Sequence, residues 1–260
     1  MMGSDGKGKP QGATGPLVFG PGGIDWAVIE FPASKADREL LIVELFVRAS
    51  SNAIRCERLP SLRPFSAVRA NPEDDLDLTV TACGGERLME LAEFAPLGTF
   101  GRTFADAPTS VPTSDKAAAA EALVRKKSRR QGAAGRLLLL YTTEHAFELS
   151  ETTIELLRRR LAAEPPAFDR VYYLNPVTAE LGIAHEIYPG SRHHWFGELD
   201  DDALARLAIV HPHPRDMRQV RSISWEGGTD DAGSTIRYTV TYDELFDPAA
   251  GSESGRDRRG

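Results

Sequence analysis

Asp77 and Glu90 sit on either side of a Gly-Gly pair, each inside a stretch that reads as a strand. Residues 75–82 (DLDLTVTA) alternate polar and apolar, and residues 86–94 (ERLMELAEF) read as the returning strand. With Gly84-Gly85 as a two-residue loop, Cys83 stands opposite Glu86, Thr79 opposite Glu90 and Asp77 opposite Ala92. One face then gathers Leu76, Leu78, Val80, Met89 and Leu91 and makes a core. The other face brings Asp77 and Glu90 together as diagonal neighbours, within about 7–8 Å by Cα. Two carboxylates at that separation repel unless a cation or a shared proton relieves them. Converging oxygen ligands of this kind suit Mg²⁺ or Mn²⁺. A solvated outer face of a hairpin accounts for the same pattern.

A third carboxylate, Glu44, lies in ELLIVELFV, where its helical neighbours are Leu40, Leu41, Val47 and Arg48. Burial on that apolar face would require a partner or a metal; a salt bridge to Arg48 or Arg38 at a narrow polar stripe accounts for it equally well.

The elements that must position these groups follow from pattern and punctuation. Residues 24–31 predict a short strand. Ser34 predicts a helix N-cap, with Asp37 three residues on and a helix to about Ser50. Residues 65–70 predict a weak strand, and the hairpin follows. After a Gly/Pro/Thr-rich loop, Ser114 predicts the cap of a second helix running through AAAAEALVRKKSRR. Residues 136–142 (RLLLLYT) are a continuous apolar run, as in a strand buried on both faces. A third helix over about 150–163 stops before Pro165-Pro166, and strands follow at 171–174 and 181–187. Further on, 200–210 predicts a short helix and 235–242 an edge strand. The order α-β-β-β-α-β-α-β predicts an α/β fold with a mixed sheet and helices against it.

In that order, these residues resemble the restriction-endonuclease-like, PD-(D/E)XK, superfamily over about residues 34–175. The resemblance implies an α-β-β-β-α-β core with a C-terminal α/β extension. Glu44 matches the family's acid on the first helix, Asp77 in EDDLDLTV the Asp of the second strand, and Glu90 in RLMELAEF the acid of the third. No Pro directly precedes Asp77, and Ala92 stands where the family places its lysine. The resemblance implies hydrolysis of DNA phosphodiester bonds by a Mg²⁺ or Mn²⁺ ion on Asp77 and Glu90, with Lys126 or Lys127 of the following helix supplying the missing cation. Its alternative implication is an inactive nuclease-fold module that binds a protein partner. A basic helix end favoured by the helix dipole also accounts for VRKKSRRQ. The expected organisation is a disordered arm over 1–22, a nuclease-like core over 23–190, an extension packed on it over 191–247, and a disordered tail over 248–260.

Composition narrows the classes. Hydrophobic residues make up 41% and charged residues 27%, enough apolar material for a core. A net charge of −7 argues against the whole chain behaving as a polyanion binder, though a local basic cluster can still serve. Cys56 and Cys83 have no CxxC spacing, so neither a disulfide framework nor a cysteine zinc site is expected. The first residues carry no apolar signal segment and no run is long enough to span a membrane, so a cytoplasmic location is expected. The spacings of His193-His194 and of His211 and His213 fit no zinc motif and read as surface loops. Glu144-His145 follows the apolar run at a strand end, where open α/β sheets place ligand groups. There is no nucleophile elbow, P-loop or dinucleotide fingerprint.

Overall fold

A computed structural model describes residues 17–20, 23–26, 29, 31–51, 65–70, 77–100, 111–144, 147–190, 196, 199–206, 220–230 and 233–242. The chain divides into two units, Val28–His211 and Leu17–Ala27 with Pro212–Gly260.

The larger unit holds helix α1 (Lys35–Ser51), strands β3 (Ser66–Ala70), β4 (Asp77–Ala82) and β5 (Gly85–Glu93), and the short helix α2 (Leu97–Phe100). Helix α3 (Thr113–Ser128), strand β6 (Leu137–Tyr141), helix α4 (Glu151–Ala163), strands β7 (Arg170–Pro176) and β8 (Gly182–Tyr188), and helix α5 (Asp201–Arg206) complete it. The six strands form one sheet in sequence order, β3-β4-β5-β6-β7-β8. β4 runs antiparallel to both neighbours, β5, β6 and β7 are parallel, and β8 closes antiparallel on β7. The fold is thus α/β with a mixed sheet.

Alternation within the strands explains the layering. Leu137, Leu139 and Tyr141 share one apolar cluster with Ile42, Leu45 and Phe46 of α1. Leu138 and Leu140 share the other with Ala120 and Val124 of α3 and Ile154, Leu157 and Leu161 of α4. Every residue of β6 is buried, as its unbroken apolar sequence predicts. One helix therefore covers one face and two helices the other.

Local signals set most boundaries. The Asp37 amide donates to Ser34 Oγ at 3.4 Å, and the Thr153 amide donates to Ser150 Oγ at 3.3 Å. The Ala203 amide donates to Asp200 Oδ1 at 2.6 Å at the start of α5. Ser114 is not a cap: α3 begins at Thr113 behind Pro112, which has no side chain to bond the first amides. Proline still suits a helix start, since it fixes φ in the first turn.

Beyond Gly190, Arg159 of α4 holds the chain against the core. Its guanidinium donates to the carbonyl oxygens of Leu199 at 2.6 Å and Phe196 at 2.8 Å, and it pairs with Asp201 at 3.0 Å and Glu155 at 3.2 Å. Leu204 of α5 is fully buried.

The smaller unit contains two antiparallel pairs: β1 (Leu17–Gly20) with β2 (Gly23–Trp26), and β9 (Val220–Asp230) with β10 (Gly233–Tyr242). β1 falls inside the stretch expected to be a disordered arm; residues 1–16 and the tail 248–260 lie outside the described residues. Of the expected strand over 24–31, residues 24–26 lie in β2, residues 27, 28 and 30 lie outside the described residues, and β9 carried no prior expectation. Among the described residues, no helix is long and apolar enough to cross a membrane.

Gly190 gives a test of how tightly α4 and β8 are joined. A Cβ built there would meet the Glu186 carbonyl oxygen at 2.5 Å and Arg158 Nε at 2.8 Å, whereas at Gly98 it would meet nothing within 4 Å. Gly190→Ala is expected to lower unfolding stability by about 1–3 kcal/mol in urea titration, and Gly98→Ala to leave it nearly unchanged.

Candidate functional site

Asp77 opens β4 and lies directly opposite Glu90 of β5. The loop therefore closes one residue earlier than expected: Ala82 pairs with Gly85 and leaves Cys83 and Gly84 at the turn. Asp77 and Glu90 are direct cross-strand partners rather than diagonal ones, which corrects the expected register. Directly opposed residues share a face and place their Cβ atoms about 4.5–5.5 Å apart. The expected core face holds, since Leu78, Val80, Met89 and Leu91 all pack in the α1-side cluster.

Glu90 faces the α3 side and is only 3% exposed. A buried carboxylate needs charge or hydrogen-bond partners. Lys127, in the last turn of α3, places Nζ 2.6 Å from Glu90 Oε1. Arg130, just past the helix, places Nη1 3.1 Å from the same oxygen. Lys127 is largely buried, with 12% of its side chain exposed, whereas Arg130 is 44% exposed. Lys126 is exposed. Glu90 thus has two cations on one carboxylate oxygen. Arg130 was not among the expected site residues, although it stands three residues after Lys127 in the same basic run.

Ala92, at the position where the resemblance calls for lysine, is buried in the cluster that holds Phe94, Leu138 and Leu140. A lysine there would have to bring its ammonium through that apolar layer. The positive charge beside Glu90 comes instead from α3.

Glu44 corrects the expectation of burial. It is about half exposed and pairs with Arg48 at 3.4 Å, so the salt bridge is the right account. The buried stripe of α1 is Ile42, Val43, Leu45, Phe46 and Ala49, which turns Glu44 outward beside the exposed Leu40. Helix α1 also packs on the sheet face opposite to Glu90.

The expected Mg²⁺ or Mn²⁺ site pairs Glu90 with Asp77, of which the strand register alone is described. Among the described residues, no group of three His, Cys, Asp or Glu side chains converges as a metal cluster. His193, His194, His211 and His213 lie outside the described residues, as does His145. Glu144 is buried, and its amide donates to Thr142 Oγ1 at 3.3 Å. Beside it Thr143 donates to Glu93, and burial followed by the Glu93 charge pushes the Tyr141 hydroxyl pKa up.

A second buried cation escaped the sequence reading. Lys116 of α3 is 4% exposed, and its Nζ donates to the Glu148 carbonyl oxygen at 2.9 Å. Burial lowers its pKa to about 8. The available signal was spacing: Lys116, Ala120 and Val124 recur every four residues on one helix face, and all are buried.

Neither a family model, a curated protein nor a solved structure matches the chain.

Two stability predictions follow from these burials. Glu90→Ala leaves Lys127 enclosed without its carboxylate and is expected to cost about 3 kcal/mol, while Glu44→Ala at an exposed pair costs under about 0.5 kcal/mol. Urea unfolding of the two variants side by side checks the contrast. For Lys116 the folded pKa is depressed, so the unfolded chain binds more protons between about pH 8 and the ordinary lysine value of 10.5. Its contribution therefore makes stability rise with pH from about 8 upward. Lys116→Met is expected to flatten that rise, measured by urea midpoints between about pH 7.5 and 9, below the range where most exposed tyrosine ionises.

Proposed function

We propose that this chain is a divalent-cation-dependent hydrolase of DNA phosphodiester bonds on a restriction-endonuclease-like core. The observation that carries the reading is Lys127 Nζ at 2.6 Å from Glu90, whose strand position faces Asp77. It supplies, from the following helix, the cation that Ala92 lacks. The order α1-β3-β4-β5-α3-β6 supports the same assignment, interrupted among the described residues by the four-residue α2.

In this reading Asp77 and Glu90 would hold Mg²⁺ or Mn²⁺. The ion would polarise a phosphoryl oxygen and lower the pKa of its bound water. Lys127, in contact with Glu90, offers a fixed positive charge where negative charge develops on the phosphate. Its ammonium is held by burial on the helix, so little reorganisation accompanies the reaction. Glu44 has no part in the chemistry, because its charge lies on the outer side of α1. Lys126 contributes at most a surface charge to DNA approach.

A second reading, an inactive nuclease-fold module that binds a protein partner, is favoured by one feature. Glu90 Oε1 already accepts from two cations, which neutralise it without any metal.

Calorimetric titration of Mn²⁺ into the wild type and the Asp77→Ala/Glu90→Gln variant, with DNA cleavage assayed on the same samples, separates the two. The hydrolase reading expects binding and cleavage in the wild type and neither in the variant. Absence of both in the wild type would overturn it and favour the module. Lys127→Met is expected to lower kcat by at least about 100-fold, from loss of one transition-state contact.

A further inference from the structure

Positive charge is concentrated at one place in this chain. Residues 125–136 hold six Lys or Arg and no Asp or Glu, in a chain whose net charge is −7. Part of that charge is matched within the fold. Arg125 pairs with Glu121 at 3.3 Å and with Glu164 at 3.5 Å, and Lys127 and Arg130 share Glu90. Lys126, in the last turn of α3, and Arg129, at its C-cap, are exposed and have no acidic partner among the described residues. Exposed cations elsewhere are neutralised: Lys35 pairs with Glu39, Arg48 with Glu44 and Arg69 with Glu86.

Lys126 and Arg129 stand three residues apart, so they are neighbours on the helix surface and repel one another. The helix dipole favours a cation in the last turn but fades beyond it, and Arg129 and Arg130 lie past Ser128. An external polyanion relieves such a row of like charges. Screening makes the effect local. At about 0.1 M salt the field extends about 10 Å, so a ligand at the helix end meets these cations rather than the charge of the whole chain. The neighbourhood also selects the polyanion. Residues 125–136 contain no aromatic side chain, whereas single strands are held largely by stacking on aromatic rings. No large apolar residue is exposed there either, whereas protein interfaces centre on apolar and aromatic anchors and are depleted in lysine. A duplex backbone asks only for cations.

We infer that Lys126 and Arg129 form a docking surface for the phosphate backbone of double-stranded DNA, with the exposed side of Arg130 beside them. The contact is independent of base sequence, since it is made to phosphates. It adds to the hydrolase reading the place where the duplex is held, and it stands without that reading, because it needs no ion on Glu90 and no chemistry there.

The test is fluorescence anisotropy of a labelled duplex of about 20 base pairs, titrated with the full chain in EDTA at salt concentrations from about 50 to about 250 mM. Wild type is expected to bind, with log K falling against log salt. Lys126→Gln/Arg129→Gln is expected to weaken binding at least about tenfold at the lowest salt and to reduce that slope by about 2, from two lost phosphate contacts. Lys35→Gln/Arg48→Gln removes the same charge from α1 and is expected to stay within about twofold of wild type, with an unchanged slope. Lys126→Arg keeps the charge and is expected to bind like wild type. Absence of duplex binding by wild type, or an equal loss in both double variants, overturns the surface. Stronger competition by single-stranded DNA or by polyglutamate than by unlabelled duplex overturns it as well. Mn²⁺-dependent cleavage whose kcat/KM is unchanged in Lys126→Gln/Arg129→Gln overturns the surface and leaves the hydrolase reading standing. Slope-reducing loss of binding without any cleavage by wild type supports the surface and tells against that reading. Urea midpoints equal to that of wild type separate lost affinity from a damaged fold.

Discussion

Strand β6 is the constraint on which the larger unit depends. Its five residues, LLLLY, are all buried, so both faces of the sheet at that point must be covered. Burying a leucine side chain is worth about 1.5–3 kcal/mol, and an uncovered face would forfeit that for two or three residues at once. α1 supplies one cover, and α3 with α4 the other. The parallel pairing of β5 with β6 and of β6 with β7 requires crossovers, and α3 and α4 are those crossovers. Burial demand and connectivity thus select the same two helices.

The position of the charges follows from this layering. Glu90 pairs with Leu138 in register, and Leu138 belongs to the α3 side. A carboxylate in that layer is tolerable only with cations close by, and the end of α3 is where they arise. Its last turn holds Arg125, Lys126 and Lys127, all favoured by the negative end of the helix dipole. Of these, Lys127 turns toward the sheet. Glu44 belongs to the other cover and faces solvent, so a constellation of Glu44 with Asp77 and Glu90 is not built.

Much of this was legible in the residues themselves. The α-β-β-β-α-β-α-β order, the two-faced burial of residues 137–141 and the shared face of Asp77 and Glu90 all come from periodicity. The register did not, because three consecutive residues, Cys83-Gly84-Gly85, permit two closures. Moving the loop by one residue shifts each partner by two, which preserves the faces while changing diagonal neighbours into direct ones. Glu44 misled for a different reason. Apolar residues occur on two sides of α1, and Leu40 is 46% exposed, so its neighbours did not mark the buried stripe. The strand β9 and the burial of Lys116 went unseen as well, the latter because an Ala-rich helix offers little contrast between its faces.

Ala92 is the departure from the resembled motif, and packing gives it a reason. The residue points into the layer shared by Leu138, Leu140 and Phe94, where a methyl group fits and an ammonium would be desolvated. A lysine two positions after Glu90 therefore requires an open sheet face, and here α3 closes that face. Closing it brings the helix end near enough for Lys127 to reach the carboxylate. The alanine at position 92 and the reach of Lys127 to Glu90 are then two results of one packing arrangement, the approach of α3 to β5. The same approach leaves Glu90 enclosed at the helix end, where Lys127 and Arg130 both reach its Oε1.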